Sequence, residues 1–157
     1  MKKSLLFLIF LVILVFQGTS SSTDSYSAVY MDRANLEKSV FYIETVKECK
    51  NPGKIYYKHP YLYINEKYKG IHVIDNSNPE NPVKKGFIVA PGCLDMAIKG
   101  DIIYIDNAVD LVSFDLKEKE ETSRIRNVLP EPISPEGYIY GYGNRPENFI
   151  LVEWVKH

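Results

Sequence analysis

An all-β protein is what this chain predicts, and three observations carry the expectation. Short segments rich in Ile, Val, Tyr and Phe recur at spacings of roughly 8 to 12 residues. Gly, Pro, Asn or charged clusters separate them, and only one stretch carries a helical pattern. The architecture expected is a partial β-propeller-like or compact antiparallel β-repeat array, with one short N-terminal helix.

Residues 1–20 read as a signal peptide. Lys2 and Lys3 precede an unbroken apolar run from Leu5 to Phe16, followed by Gly18, Thr19 and Ser20, the order of a secretory signal with a small-x-small cleavage site after Ser20. As a helix the run rises about 18 Å, against a hydrocarbon core of roughly 30 Å. Membrane contact is therefore expected only through this segment, if it stays uncleaved. The chain is expected to be exported to the periplasm, the cell envelope or the outside. No Cys stands directly after the apolar run, which argues against a lipid anchor.

Residues 21–39 combine a Ser-rich polar linker, Ser21 to Ser27, with a short helix from Met31 to Ser39. Asp32 is placed to cap that helix and Leu36 to anchor it. Residues 40–157 form the β-repeat domain. Its expected strands are VFYIETV (40–46), KIYYK (54–58), YLYINE (61–66), GIHVID (70–75), KKGFIVA (84–90), LDMAIK (94–99), DIIYID (101–106), DLVSFDL (110–116), GYIYGYG (137–143) and FILVEWV (149–155). GIHVID is apolar on both faces, as a strand between two layers should be, and the NSNPENP loop ends it where Pro79 and Pro82 cannot extend a ladder. LKEKEE (116–121) reads as a solvated hairpin or loop face.

The spacing also contains a repeat. YLYINEKYKGIHVID (61–75) lies over IIYIDNAVDLVSFD (102–115), matching Tyr63-Ile64 to Tyr104-Ile105 and Asp75 to Asp115. Each unit reads strand, tight polar turn, strand, Asp, with KIYYK and LDMAIK as the matched strands upstream. A period of about 40 residues fits a propeller blade or a similar β-array. The matched strands GIHVID and DLVSFD, within residues 51–116, resemble the LVIVD repeat of bacterial envelope and cell-surface β-propeller-like proteins. That resemblance implies a fold and a compartment and carries over no site residues. At about 40 residues per unit, a mature chain of about 137 residues holds fewer than the four blades usual in a propeller. Raw blade faces then invite compact packing, self-association with a second copy, or descent from a longer protein.

Composition excludes nucleic acid as a partner. Without Lys2 and Lys3 the formal charge moves from −1 to −3, with 17 basic residues facing 20 acidic ones, and no concentrated basic face results. Cys49 and Cys93 are a candidate disulfide or two separate buried thiols, and the sequence leaves both open. Neither has a Cys or His partner at ligand spacing, so no metal and no cofactor is expected. His59, His72 and His157 are scattered, and His72, inside a strand, reads as a hydrogen-bonded core or edge residue. Asp95, Asp101, Asp106, Asp110 and Asp115 offer carboxylates for acid/base work or Ca²⁺, yet most flank strands, where Asp bonds turn amides. GYGNRPEN (141–148) lacks the strand-to-helix context of a phosphate loop.

One surface invites an interaction reading. Tyr57, Tyr61, Tyr63, Tyr68, Tyr138, Tyr140, Tyr142 and Trp154 are interleaved with Lys and Glu, a composition found on protein or glycan recognition surfaces and also in cross-strand aromatic pairs. The function expected is a non-enzymatic exported interaction or scaffold protein. The alternative is a ligand-binding or hydrolytic domain with a polar site in the loops at Asp75, Asp106 and Asp115.

Overall fold

The computed structural model describes residues 25–137 and 145–157. Their elements are β1 (Tyr26–Asp32), α1 (Arg33–Leu36), β2 (Phe41–Ile43), β3 (Pro52–Lys58), β4 (Tyr61–Glu66), β5 (Gly70–Asp75), β6 (Val83–Val89), β7 (Met96–Lys99), β8 (Ile102–Asn107), β9 (Asp110–Asp115), β10 (Glu120–Ile125) and β11 (Phe149–Lys156). The described residues are mostly β, with one helical turn. The strands form a five-stranded sheet, β2-β6-β5-β4-β3, a four-stranded sheet, β10-β9-β8-β7, and a pair, β1-β11. All the pairings are antiparallel. None of these sheets closes into a barrel.

Alternation builds the core. Tyr63 and Asn65 on β4 sit opposite Val73 and Ile71 on β5, and Ile71 faces Ile88 on β6. In the other sheet Ile103 and Ile105 on β8 face Phe114 and Val112 on β9. These two faces meet, with Met96, Ala90 and Cys93 filling between them. Each fully buried Ile, Val or Phe contributes roughly 1.5–3 kcal/mol of transfer free energy. At one side of the stack β3 touches β7, where the Tyr56 hydroxyl donates to the Ile98 carbonyl at 3.3 Å; at the other side β10 touches β2.

GIHVID is buried on both faces, as its composition predicts. Ile71 and Val73 point into the core, while His72 alternates to the opposite face and packs edge-on against Phe87, ring centroids 4.8 Å apart. The turn before it needs glycine. Gly70 has φ 142°, and a Cβ there would come within 2.0 Å of the Ile88 carbonyl oxygen. The strand stops at Asp75, whose carboxylate accepts from the Ser77 amide at 3.0 Å and the Ser77 hydroxyl at 2.6 Å.

Several expectations need correction. Tyr26 and Ser27, read as linker, open β1, because β11 offers them a strand to pair with, Tyr26 opposite Lys156 and Ser27 opposite Val155. The helix is one turn and not nine residues. Asp32 caps it as expected, accepting from Ala34 and Asn35 amides at 2.9 and 3.2 Å, but Met31 stays in β1 and the chain leaves after Leu36. Leu36, fully buried, anchors it against Ala108 and Val152 in a second small core. The VFYIETV strand shrinks to Phe41–Ile43. LKEKEE is a turn followed by the start of β10, an edge strand whose Glu120 is exposed while Arg124 turns in to Asp110 and Glu121. The signal peptide, most of the linker and, apart from Gly137, the GYIYGYG strand lie outside the described residues.

Candidate functional site

The two stacked sheets open at one end into a cleft of about 860 Å³. It lies where β4 begins and β5, β9 and β2 end. Core residues Tyr63, Val73, Ile88 and Phe114 make its floor, Tyr42 and Tyr61 its walls, and Lys58, Lys85, Lys117, Lys119, Glu44 and Asp101 its rim. Sheet geometry fixes each wall. The Tyr42 hydroxyl donates to the Lys85 carbonyl at 3.0 Å, locking β2 to β6, and the rings of Tyr61 and Tyr63 are tilted against one another at 6.4 Å.

Electrostatics hold the rim in place. Asp101 accepts from Lys58 at 3.1 Å and pairs with Lys117 at 2.6 Å; those two ammonium groups keep its carboxyl below the usual carboxylate range. Lys119 bonds Glu44 at 3.2 Å and lies 4.3 Å from the Tyr42 ring centre, a cation–π contact. Burial pushes Tyr63 up to about 12 and raises Tyr42 as well. Both stay neutral phenols at ordinary pH, with polar tips over an apolar floor.

The aromatic residues singled out in sequence therefore part company. Tyr61 and Tyr63 belong to the cleft. Tyr68 sits in the β4–β5 turn at the far end of β4, and Tyr57 lies on the edge strand β3, its hydroxyl 3.0 Å from His59. Trp154 is no surface residue: it is buried, donating its indole N–H to the Pro132 carbonyl at 3.0 Å. Tyr138, Tyr140 and Tyr142 lie outside the described residues. Sequence reading missed Tyr42, placed in the cleft by β2 pairing with β6 across some forty intervening residues, and the cleft positions of Lys117 and Lys119, which the β9–β10 turn carries there.

Asp75, Asp106 and Asp115 do not converge on one site. Asp75 and Asp115 bond their own turns, Asp115 accepting from Lys117 and Glu118 amides at 2.7 and 3.0 Å. Asp106 sits at the opposite end of its hairpin from Asp115 and accepts from the Leu94 and Asp95 amides at 2.8–3.0 Å. Burial lifts its pKa against those bonds. Asp95 accepts from its neighbour, the Met96 amide, at 2.7 Å. Asp110 departs from the turn reading. Its side chain is fully buried and binds Arg33 at 2.7–2.8 Å, Arg124 at 2.9 Å and the Asn127 amide at 3.0 Å. Burial opposes its charge, but the Arg33 bond, the Asn127 amide and Arg124 prevail and hold its pKa low. This network ties α1 to the four-stranded sheet.

The two cysteines are free and occupy different surroundings, so the candidate disulfide is absent. Cys93 is buried in the main core, its sulfur 3.2 Å from the Asn65 amide nitrogen, and burial pushes the thiol well up. Cys49 is half-buried beside Glu66 and His72, their donor atoms all within 4.8 Å of one another. The partners of Cys49 lie across the sheet, on β4 and β5, and not beside it along the chain. His72 is hydrogen-bonded as expected, its Nε2 lying 3.1 Å from Glu66 Oε2.

Comparison of the chain with protein-family models, curated proteins and solved structures found no match.

Proposed function

We propose that the chain is an exported, non-enzymatic β-repeat interaction protein of the bacterial cell envelope, and that the cleft between its sheets binds a short oligosaccharide. The cleft is the observation that carries this. It combines an apolar floor, two tyrosine walls and a rim of both charge signs, and its volume falls in the range of ligand pockets, not of a broad protein interface. Half-exposed phenol rings offer flat apolar faces with hydroxyl tips, which suits the mixed surface of a sugar. Export rests on the order of Lys2, Lys3, the Leu5–Phe16 run and Gly18 to Ser20.

The finer fold belongs to the same reading. Two successive four-strand meanders, β3 to β6 and β7 to β10, are successive repeat units stacked in propeller-like fashion. What supports it is the sidedness of the shared core. In the sequence alignment Tyr63 matches Tyr104, yet Tyr63 is buried in the core while the second unit buries Ile103 and Ile105, the alternate positions. Each unit thus offers opposite faces to its two sides, as stacked blades do.

Titration of the labelled protein with neutral and acidic oligosaccharides, followed by amide NMR shifts, tests the function. Shifts centred on Tyr42, Tyr61 and Lys117, lost in Tyr42→Ala, are expected. Silence of the cleft toward both sugar classes would overturn the reading.

A further inference from the structure

We propose that Cys49, Glu66 and His72 form a binding site for a zinc-type divalent cation, at the opposite end of the five-stranded sheet from the cleft. Three donors of the right chemistry converge there: a thiol sulfur, a carboxylate oxygen and an imidazole nitrogen, mutually within 4.8 Å. Mixed S, O and N sets suit a borderline-soft metal, and three protein ligands with one open position are a known zinc arrangement.

The sheet prepares two of the three ligands. Glu66 ends β4 and His72 lies in β5, and register makes them diagonal neighbours on one face. The Phe87 ring lies edge-on against the imidazole at 4.8 Å and Nε2 comes 3.1 Å from Glu66 Oε2. Glu66 Oε1 accepts from the Asn51 amide at 2.6 Å, and the Lys50 amide lies 3.0–3.2 Å from both oxygens. Such outer bonds orient a ligating carboxylate and leave Oε2 directed at the imidazole. Cys49 comes from the segment before β3, and the same two amides pin that segment to Glu66. A concavity bordered by Lys47, Glu48, Lys50, Lys67 and Lys69 reaches Glu66 and His72 from outside.

Binding needs one proton exchange. The Cys49 S–H bond breaks, its proton leaves to solvent, and the thiolate, Glu66 Oε2 and neutral His72 Nε2 donate to the cation. Two ligand charges then balance the metal's two and leave the loaded site neutral. The hydrogen bond between Glu66 and His72 is replaced by a shared metal, and water takes the fourth position.

Titration of the metal-free protein with Co²⁺ and Zn²⁺ is the test. Expected are one equivalent of Co²⁺ with a thiolate-to-metal charge-transfer band, and a Zn²⁺-dependent rise in Tm. Cys49→Ser, at a half-exposed position, should fold normally without metal, lose the band and weaken Zn²⁺ binding by about 100-fold or more, at least what loss of an outer-shell partner costs. His72→Gln should weaken Zn²⁺ binding while keeping the thiolate band at saturating Co²⁺, and if it fails to fold Cys49→Ser decides alone. Co²⁺ bound without the thiolate band, Zn²⁺ affinity unchanged in Cys49→Ser, or no binding at millimolar metal would each overturn the site.

Discussion

Asp110 shows how one side chain can set the position of a whole segment. Its carboxylate is fully buried between Arg33 of the helical turn and Arg124 of β10, and Arg124 continues to Glu121 at 2.8 Å and to Asn107 at 2.6 Å. Removing Asp110 takes the carboxylate from Arg33 and leaves Arg124 with Glu121 alone, a loss of up to roughly 3–5 kcal/mol. Asp110→Ala should therefore lower stability by about that amount in urea unfolding, well beyond an exposed Asp such as Asp95. The cysteines give a second expectation at this scale. Under native, metal-free conditions a thiol reagent should label Cys49 and spare Cys93, with the second equivalent appearing only on unfolding. Equal labelling of both would contradict the buried environment of Cys93. Neither environment was legible in the sequence. Asp110 has the same neighbours along the chain as any strand-flanking Asp, and its arginines are 77 and 14 residues away. What could be read were local devices: the Asp32 cap, the Leu36 anchor and the Asx turns at Asp75 and Asp115.

At the scale of elements, hairpins read well and edges read poorly. YLYINE and GIHVID match β4 and β5 residue for residue, because period-2 apolar patterning and a glycine turn act locally. β10 escaped because EETSRI is polar along most of its length. An edge strand needs only one partner and gains from charge facing solvent. β1 escaped for a related reason. Its only partner among the described residues, β11, lies far along the chain, and no local signal announces a pairing of Tyr26 with Lys156. Hydrogen exchange should separate the two kinds of strand. Amides of β5 and β8, paired on both sides and packed in the core, should exchange slowest. Outward amides of β10, and of β1 and β11 toward the termini, should exchange fastest among the strands. Slow exchange throughout β10 would mean that something covers this edge in solution.

The whole molecule should answer to acid in a direction its buried carboxylates set. For Asp110, burial opposes the charge but Arg33, the Asn127 amide and Arg124 overcome it; for Glu66, burial likewise loses to the Asn51 amide, His72, Cys49 and the Lys50 amide. Both folded pKa values therefore lie below the unfolded range, about 4 for Asp and Glu. Below that pH the unfolded chain takes up protons that the folded chain still refuses, so stability falls as pH drops through the folded values. Above about pH 5 this contribution is fully present. Asp106 acts the other way: burial raises its folded pKa, so its ionisation costs stability at neutral pH and its protonation returns some as pH falls. Asp75 and Asp101 are held low as well, by the Ser77 bonds and by Lys117 and Lys58, so four depressed carboxylates stand against one raised, and urea midpoints should decline from about pH 4 downward. Asp110→Asn isolates the larger network. At pH 7 the variant should be the less stable of the two proteins, yet its acid limb should be shallower, because the group that titrates is gone. The two curves should then draw together as the pH falls and the wild-type carboxyl takes up its proton. Parallel curves from pH 7 to pH 2 would mean that Asp110 keeps an ordinary affinity for its proton, and that the arginines beside it add no charge stabilisation beyond what solvent provides.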